Sequence, residues 1–317
     1  MTAGRVAGEE VAQGTVVPWP HFGRGTLLAV HAHPDDESLW TGGLLAAWRA
    51  AGGRTAVVTA TRGELGETIG DDIAGTEGDA EGMRVLRCAE LRTALAALGV
   101  GGHWFLDEAA DPRASWRDSG MAWASVDEVI AVPADVTARA ALVNADRTAL
   151  DRALRSILTV ERPALVATYG PDGGYGHPDH VLTSKLATSV ATSMGIPCVW
   201  RTISQREAND MRVASEGLWQ ASRDEYAART GHRRAIAGPA NVIATPDAAG
   251  IRYAIDVRPV ASLVRAALRA HRSQVQAVRE PNSTWDVSAS YALSDGRLRV
   301  LLGTEEYAPV TQAGEVA

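Results

Sequence analysis

The sequence predicts an α/β fold: a Rossmann-like three-layer α/β/α arrangement with a mostly parallel sheet and a smaller, less regular C-terminal lobe. Three observations predict it. Short apolar runs bounded by turn residues alternate with stretches of helical period, as in "GTLLAVHA", "TGGLLAAWRAAGG" and "RTAVVTAT" in succession. Such alternation implies crossover connections and therefore parallel strands. The chain of 317 residues is long enough for one large core with an added lobe.

The elements follow in order. Residues 25–32 form a first buried strand, and 41–53 a helix that closes on Gly52 and Gly53, the usual helix stop. A second strand covers 54–61, followed by a polar, glycine-rich loop over 62–72. An amphipathic helix spans 81–100 and stops at Gly99, and "HWFLD" at 103–107 is a third strand. Residues 108–146 carry tryptophans and prolines without a clear period, and a connection of that length suits a lid. A helix over 146–163 and a strand over 163–170 lead into "PDGGYGHPDH", a helix from Pro178 and the strand-like "CVWRTIS" at 198–204. Beyond these the pattern weakens, leaving a strand at 253–257, a helix over 260–275 and a late strand at 297–303. The division is then a loose leader over 1–24, a core over 25–205 and a C-terminal lobe over 206–317 packed on the core.

Composition excludes several classes. With 31 Lys+Arg against 38 Asp+Glu, the net charge of −7 opposes binding to a polyanion, so no nucleic acid is expected. No apolar run approaches the ~20 residues of a membrane helix, so no membrane is expected either. The N-terminus lacks a signal-peptide core. Cys88 and Cys198 form no CxxC and are too few for a disulfide framework. A cytoplasmic protein is the expectation.

The chemistry lies in two stretches, "HAHPDDES" from His31 and "GYGHPDH" ending at His180, both predicted at the carboxyl ends of strands, where ligands of such sheets collect. His33 and Asp36 are three apart, so a tight turn can aim both at one point, and an imidazole with a carboxylate suits Zn²⁺. His180 supplies a third ligand, and two histidines with one carboxylate leave a position open for water. Zinc lowers the pKa of bound water to ~7. Asp35, adjacent to a ligand but not needed as one, can take the proton, while His177 as imidazolium stabilises an oxyanion and protonates the leaving amine. Asp179 is free to orient a histidine through its ring N–H. The competing structural reading makes Asp36 or Ser38 a helix cap, Glu37 a first-turn acid and Pro178 a first helical residue. Capping explains either stretch alone; it does not explain both at equivalent strand ends.

The stretches "AHPDDE" and "HPDH" resemble the LmbE/PIG-L family of zinc-dependent deacetylases. "HAHPDDESL", "TRGELGETIG", "WRDSGM" and "TYGPDGGYGHPDHV" resemble its mycothiol-biosynthesis branch, which acts on N-acetylglucosaminyl-inositol. The resemblance implies His33, Asp36 and His180 as ligands of one zinc per chain, Asp35 as base and His177 as its electrostatic and acid partner. It also implies Tyr175 as a mobile donor beside the scissile carbonyl, and Arg87 and Asp118 as holders of sugar or inositol hydroxyls. Ferrous iron accepts the same donors as zinc. The structural alternative for Arg87 is a pair with Glu90 on its own helix. Glu64 and Glu67 read as a solvated loop, His31 as a buried, satisfied imidazole, and His21, His103, His232 and His271 carry no partner pattern. The tryptophans read as packing residues, with Trp116 able to border a sugar.

The expected partner is therefore a small amino-sugar substrate. Rivals are the sister amidase that cleaves mycothiol S-conjugates, a deacetylase of another N-acetyl sugar, and a catalytically dead sugar-binding module. Trp40 and Thr41, where the amidase tends to carry a lysine, favour the deacetylase. The presence of Asp35, His177 and all three ligand types opposes the dead module. A dinucleotide site fails because the first strand leads into "HAHPDDE" and not GxGxxG.

Overall fold

The computed structural model describes residues 16–17, 19, 21–70, 76, 78–110, 114–123, 131–133, 139–227, 236–245, 252–281 and 285–310. Along the chain come β1 (Val16–Val17), β2 (Thr26–His31), α1 (Asp36–Trp40), α2 (Gly42–Ala50), β3 (Arg54–Thr59), α3 (Ala80–Leu98) and β4 (Gly102–Phe105). A short antiparallel pair, β5 (Met121–Trp123) and β6 (Ala131–Pro133), precedes α4 (Arg147–Glu161), β7 (Leu165–Tyr169), α5 (Pro178–Ser193) and β8 (Cys198–Arg201). The remainder holds α6 (Gln205–Ala227), β9 (Gly238–Pro239), β10 (Arg252–Asp256), α7 (Ala261–Ala270), β11 (Gln276–Arg279), β12 (Val287–Ala292), β13 (Arg297–Leu302) and β14 (Thr304–Pro309).

The main sheet has eight strands in the order β1-β10-β14-β8-β7-β2-β3-β4. From β8 to β4 every neighbouring pair is parallel, and β14 runs antiparallel to both of its neighbours. Alternate residues of β2 serve opposite faces: Leu27 and Ala29 join the apolar cluster with Leu45, Leu91 and Val264, whereas Leu28 and Val30 join the one with Leu154, Ile157 and Val190. Helices therefore cover both faces, and that is why β2 reads as an unbroken apolar run. Burying each such leucine contributes about 1.5–3 kcal/mol. A second sheet, β11-β12-β13-β9, packs under α6 through Leu218, Trp219, Leu298 and Val300. No helix among the described residues is long and apolar enough to cross a membrane.

Two expectations are corrected. The leader is not loose throughout: β1 pairs with β10, and Trp19 stacks on Tyr253 with ring centroids 5.1 Å apart. The C-terminal third is more regular than its pattern suggests and is not wholly a lobe, because β10 and β14 complete the main sheet. The long α6 does carry a helical stripe, Met211, Ala214, Leu218 and Trp219, but polar residues at most other positions dilute it. Of the predicted lid, residues 111–113, 124–130 and 134–138 lie outside the described residues.

Strand order reverses between β2 and β7, since β3 and β4 lie on one side and β8 on the other. A crevice opens beyond the carboxyl ends at such a switch point. The segments that follow β2 and β7 are the two histidine-rich stretches.

Candidate metal centre and active site

The chain leaves β2 through a turn that brings His33 back over Asp36, whose Oδ2 accepts the His33 backbone N–H at 2.9 Å. Between them Asp35 takes φ 104°, a left-handed conformation that costs an L side chain about 1–3 kcal/mol. Asp36 and Ser38 lie inside α1, whose N-cap is Asp35 without a side-chain capping bond, so neither is the cap of that helix, although Glu37 does stand in its first turn. The Asp35 backbone N–H donates to Glu37 Oε2 at 3.0 Å.

The second turn is built on Gly173, Gly174 and Gly176, with φ of 69°, 83° and 86°. A side chain on Gly174 would collide with the Trp40 indole, so the two turns interlock there. His177 is the N-cap of α5 and Pro178 its first residue; His177 Nδ1 accepts the Asp179 backbone N–H at 3.1 Å. That acceptor role puts the remaining imidazole proton on Nε2.

His33, Asp36 and His180 meet at the crevice. His33 Nδ1 lies 3.2 Å from His180 Nε2 and 3.5 Å from Asp36 Oδ2, and His180 Nε2 lies 3.3 Å from the same oxygen. Donors about 2.0–2.1 Å from a tetrahedral ion stand about 3.3–3.4 Å apart, so this triangle has the dimensions of three zinc-type ligands. The other nitrogens are spoken for, as metal-binding imidazoles require. His33 Nε2–H donates to Asp179 Oδ2 at 3.2 Å, and His180 Nδ1–H to the Gly173 carbonyl at 3.1 Å. Asp36 Oδ2 also accepts the Tyr169 hydroxyl at 2.6 Å. Two further sets, His33 with His177 and His180, and His33 with Asp118 and Asp179, hold donor atoms within 4.8 Å. In the first, His177 Nδ1 is engaged by the Asp179 N–H, and the second uses the His33 ring nitrogen that faces Asp179.

Burial shapes the charges. Burial raises the Asp35 carboxyl to about 6, with Arg87 pulling it down and Asp36 and Glu37 pushing it up. Burial, then the charges of His33 and His180, lowers His177 to about 2. A cation held by those two histidines would act in the same sense, which favours a neutral Nε2–H donor at His177 over the imidazolium expected. The Tyr175 phenol is held well above its usual range by burial and the carboxylates of Asp36, Asp35 and Asp118, which keeps it a donor.

Arg87 and Asp118 both line the crevice, a cavity of about 420 Å³ whose wall also includes Trp40, Tyr175, Gln274 and Arg299. Arg87 is not paired with Glu90: its guanidinium lies 3.2 Å from Asp35 Oδ2 and donates to the Gly63 carbonyl at 2.8 Å, while Glu90 takes the Ser273 hydroxyl at 2.6 Å. Asp118 reaches within 3.6 Å of His33 Nε2, and its backbone N–H donates to Glu64 at 3.1 Å. Glu64 is thus buried and bonded, not solvated, whereas Glu67 is exposed at the cavity rim. Trp116 packs in the core and does not border the cavity. His31 is buried and satisfied on one nitrogen only, by Thr41 at 2.8 Å. His103 does have a partner, Thr59, and His232 lies outside the described residues.

Sequence reasoning missed Tyr169, whose one signal is its position at a strand end, and the pair of Glu37 with His271, whose Nε2 and Oε1 lie 2.7 Å apart.

The family profile described as PIG-L, GlcNAc-PI de-N-acetylase, matches residues 28–191. The chain is 38% identical over 287 residues to 1D-myo-inositol 2-acetamido-2-deoxy-alpha-D-glucopyranoside deacetylase 1 of Saccharopolyspora erythraea, covering 90% of this chain and 89% of that one. It is 37% identical over 283 residues to the deacetylase of the same substrate name from Actinosynnema mirum, with 89% and 90% covered. Among solved structures, a deacetylase–teicoplanin complex from teicoplanin biosynthesis shares the fold, with a TM-score of 0.50 at 18% identity over 90% of this chain and 98% of that one.

Proposed function

Because this chain belongs to the PIG-L family of de-N-acetylases, we propose that it hydrolyses the N-acetyl group of N-acetylglucosaminyl-inositol to give glucosaminyl-inositol and acetate. The substrate is taken from the relatives, which carry it in their names. The observation that carries the reading is the donor triangle of His33, Asp36 and His180 with the ionisable Asp35 on the same turn.

One zinc ion per chain suits these donors, and ferrous iron fits the same set. Such a cation supplies Lewis acidity, acidifying water and drawing charge from the acyl oxygen. Asp35, raised to about 6, is a stronger base than an ordinary carboxylate yet ionised at neutral pH. It takes the proton of the attacking water as oxygen bonds to the acyl carbon. His177 Nε2–H and the Tyr175 hydroxyl donate to the oxyanion that forms. Asp35 then returns its proton to nitrogen as the C–N bond breaks, so the amine leaves neutral and acetate follows. Asp179 holds the His33 ring, and Arg87 and Asp118 present polar groups to the sugar. A cytoplasmic setting belongs to the same reading and is supported by two free cysteines, Cys88 and Cys198.

The test is release of free amine and acetate from N-acetylglucosaminyl-inositol by purified protein, with loss of activity on chelation. Faster cleavage of a mycothiol S-conjugate would reassign the substrate to that of the sister amidase, and selective deacetylation of another N-acetyl sugar would reassign it likewise. No turnover of any of these by metal-replete protein would overturn the hydrolase reading.

A further inference from the structure

Asp35 occupies a strained backbone conformation that its own side chain does not cap. With φ 104° and ψ −29° it heads a five-residue helix without a side-chain cap. Its carbonyl accepts the Ser38 and Leu39 N–H groups of the helix, both at 3.0 Å, and its own N–H is held by Glu37, whose Oε2 accepts it at 3.0 Å. The other carboxylate oxygen, Oε1, receives the Ser38 hydroxyl at 2.6 Å and lies 2.7 Å from His271 Nε2. Glu37 and His271 are both fully buried, and neither borders the cavity. They cannot touch substrate.

His271 is well anchored for such work. It closes α7, and its carbonyl accepts the backbone N–H groups of Gln274 and Val275 at 3.0 and 2.8 Å. Ser273 beside it donates through backbone and hydroxyl to Glu90 of α3, the helix that carries Arg87. Among the described residues the Nδ1 of His271 finds no partner, and Glu37 is the one polar group its ring engages. Asp35 is therefore gripped twice: its carboxylate by Arg87 of α3, and its peptide N–H by Glu37, which the C-terminal turn at 271–275 holds in place.

We propose that Glu37 and His271 are positioning residues for Asp35, acting through its backbone. The inference rests on Asp35 being the base. A carboxylate released from this conformation still sits in the crevice but no longer faces the attacking water, so catalysis suffers while substrate and metal binding do not.

The experiment compares Glu37→Leu, Glu37→Gln, His271→Gln and Asp35→Asn as metal-loaded enzymes, reading kcat, KM, metal content and melting temperature. Because misplacement by an ångström can cost about 100-fold, Glu37→Leu should lose about that much kcat while KM moves less than about 3-fold. Glu37→Gln, which keeps an oxygen for the Asp35 N–H, should recover most of it. His271→Gln should fall between the two with metal content unchanged. Losses confined to KM or to metal content, or a Glu37→Gln variant as impaired as Glu37→Leu, would overturn the proposal. Should Glu37→Leu not fold, His271→Gln decides: wild-type kcat overturns the proposal, and a loss in kcat alone supports it. An active Asp35→Asn would sink the base assignment itself, whereas an inactive one beside wild-type Glu37→Leu and His271→Gln would sink only the positioning.

Discussion

His-Pro-Asp occurs twice in the site, at 33–35 and at 177–179, and the two copies are offset by two residues against the helices they enter. In the first copy the aspartate is the N-cap and the helix begins after it; in the second the histidine is the N-cap and the proline begins the helix. The offset exchanges the roles. Asp35 stays outside its helix, strained and facing Arg87, while Asp179 enters the first turn of α5 and receives the Ser119 N–H at 2.9 Å along with the His33 ring. His33 turns Nδ1 toward Asp36 and His180, whereas His177 spends Nδ1 on its own helix. The supports differ as well. A capped helix of 16 residues with proline at its start holds the second copy, while the first opens a helix of five and depends on Glu37. Register against the helix, more than residue identity, sets what each copy does.

Breaking the first copy should cost most. Asp35→Asn removes the proposed base and should lower kcat by about 10²–10⁴-fold with metal still bound, checked by single-substrate kinetics beside elemental analysis. In the second copy, Asp179→Asn takes the charged acceptor from His33 Nε2–H. Its cost should be about 10–100-fold in metal affinity or activity, read by chelator competition; unchanged affinity and rate would mean that the orienting contact is dispensable. The smallest effect sharpens the electrostatic contrast between the copies. With Asp35 as the proposed base its ionised form is the active one, so activity should fall as pH drops through its pKa, and Arg87 works to keep that pKa down. Arg87→Met should move the acid limb of kcat/KM to higher pH. A limb that stays in place would show that the guanidinium does not govern the base.

The clustering of His33, Asp36 and His180 beside Asp35 and Asp179 is legible in the sequence because most of its relations are local. Three residues of spacing within a turn, repeated at a second strand end, specify a cluster without knowledge of the rest. The support of that cluster is not legible. Glu37 reads as an ordinary first-turn acid, and its partner His271 lies 234 residues away, beyond any spacing argument. The protonation of His177 is likewise hidden, because it depends on burial and on which backbone N–H its Nδ1 accepts. In the fold, the β-α alternation specifies the parallel half of the sheet. What the pattern omits is β14, whose "TEEYAP" has buried glutamates where an alternation rule expects apolar residues. Glu305 earns its burial by receiving the N–H groups of Gly43 and Leu44 at the start of α2, both at 3.0 Å.

That placement of β14 has a kinetic consequence. It is inserted between β8 and β10, so the sheet stays open beside β8 until residues beyond 300 have been made and threaded back into register. Until then Val199 and Trp200 of β8 stand at an unpaired edge, and α2 lacks the acceptor for its first N–H groups. Pairings of such sequence separation form slowly, and an open edge invites association with other chains. During synthesis the two histidine-rich turns are therefore complete in sequence long before the sheet that carries them can close, which makes the late strand the step where misassembly competes with folding.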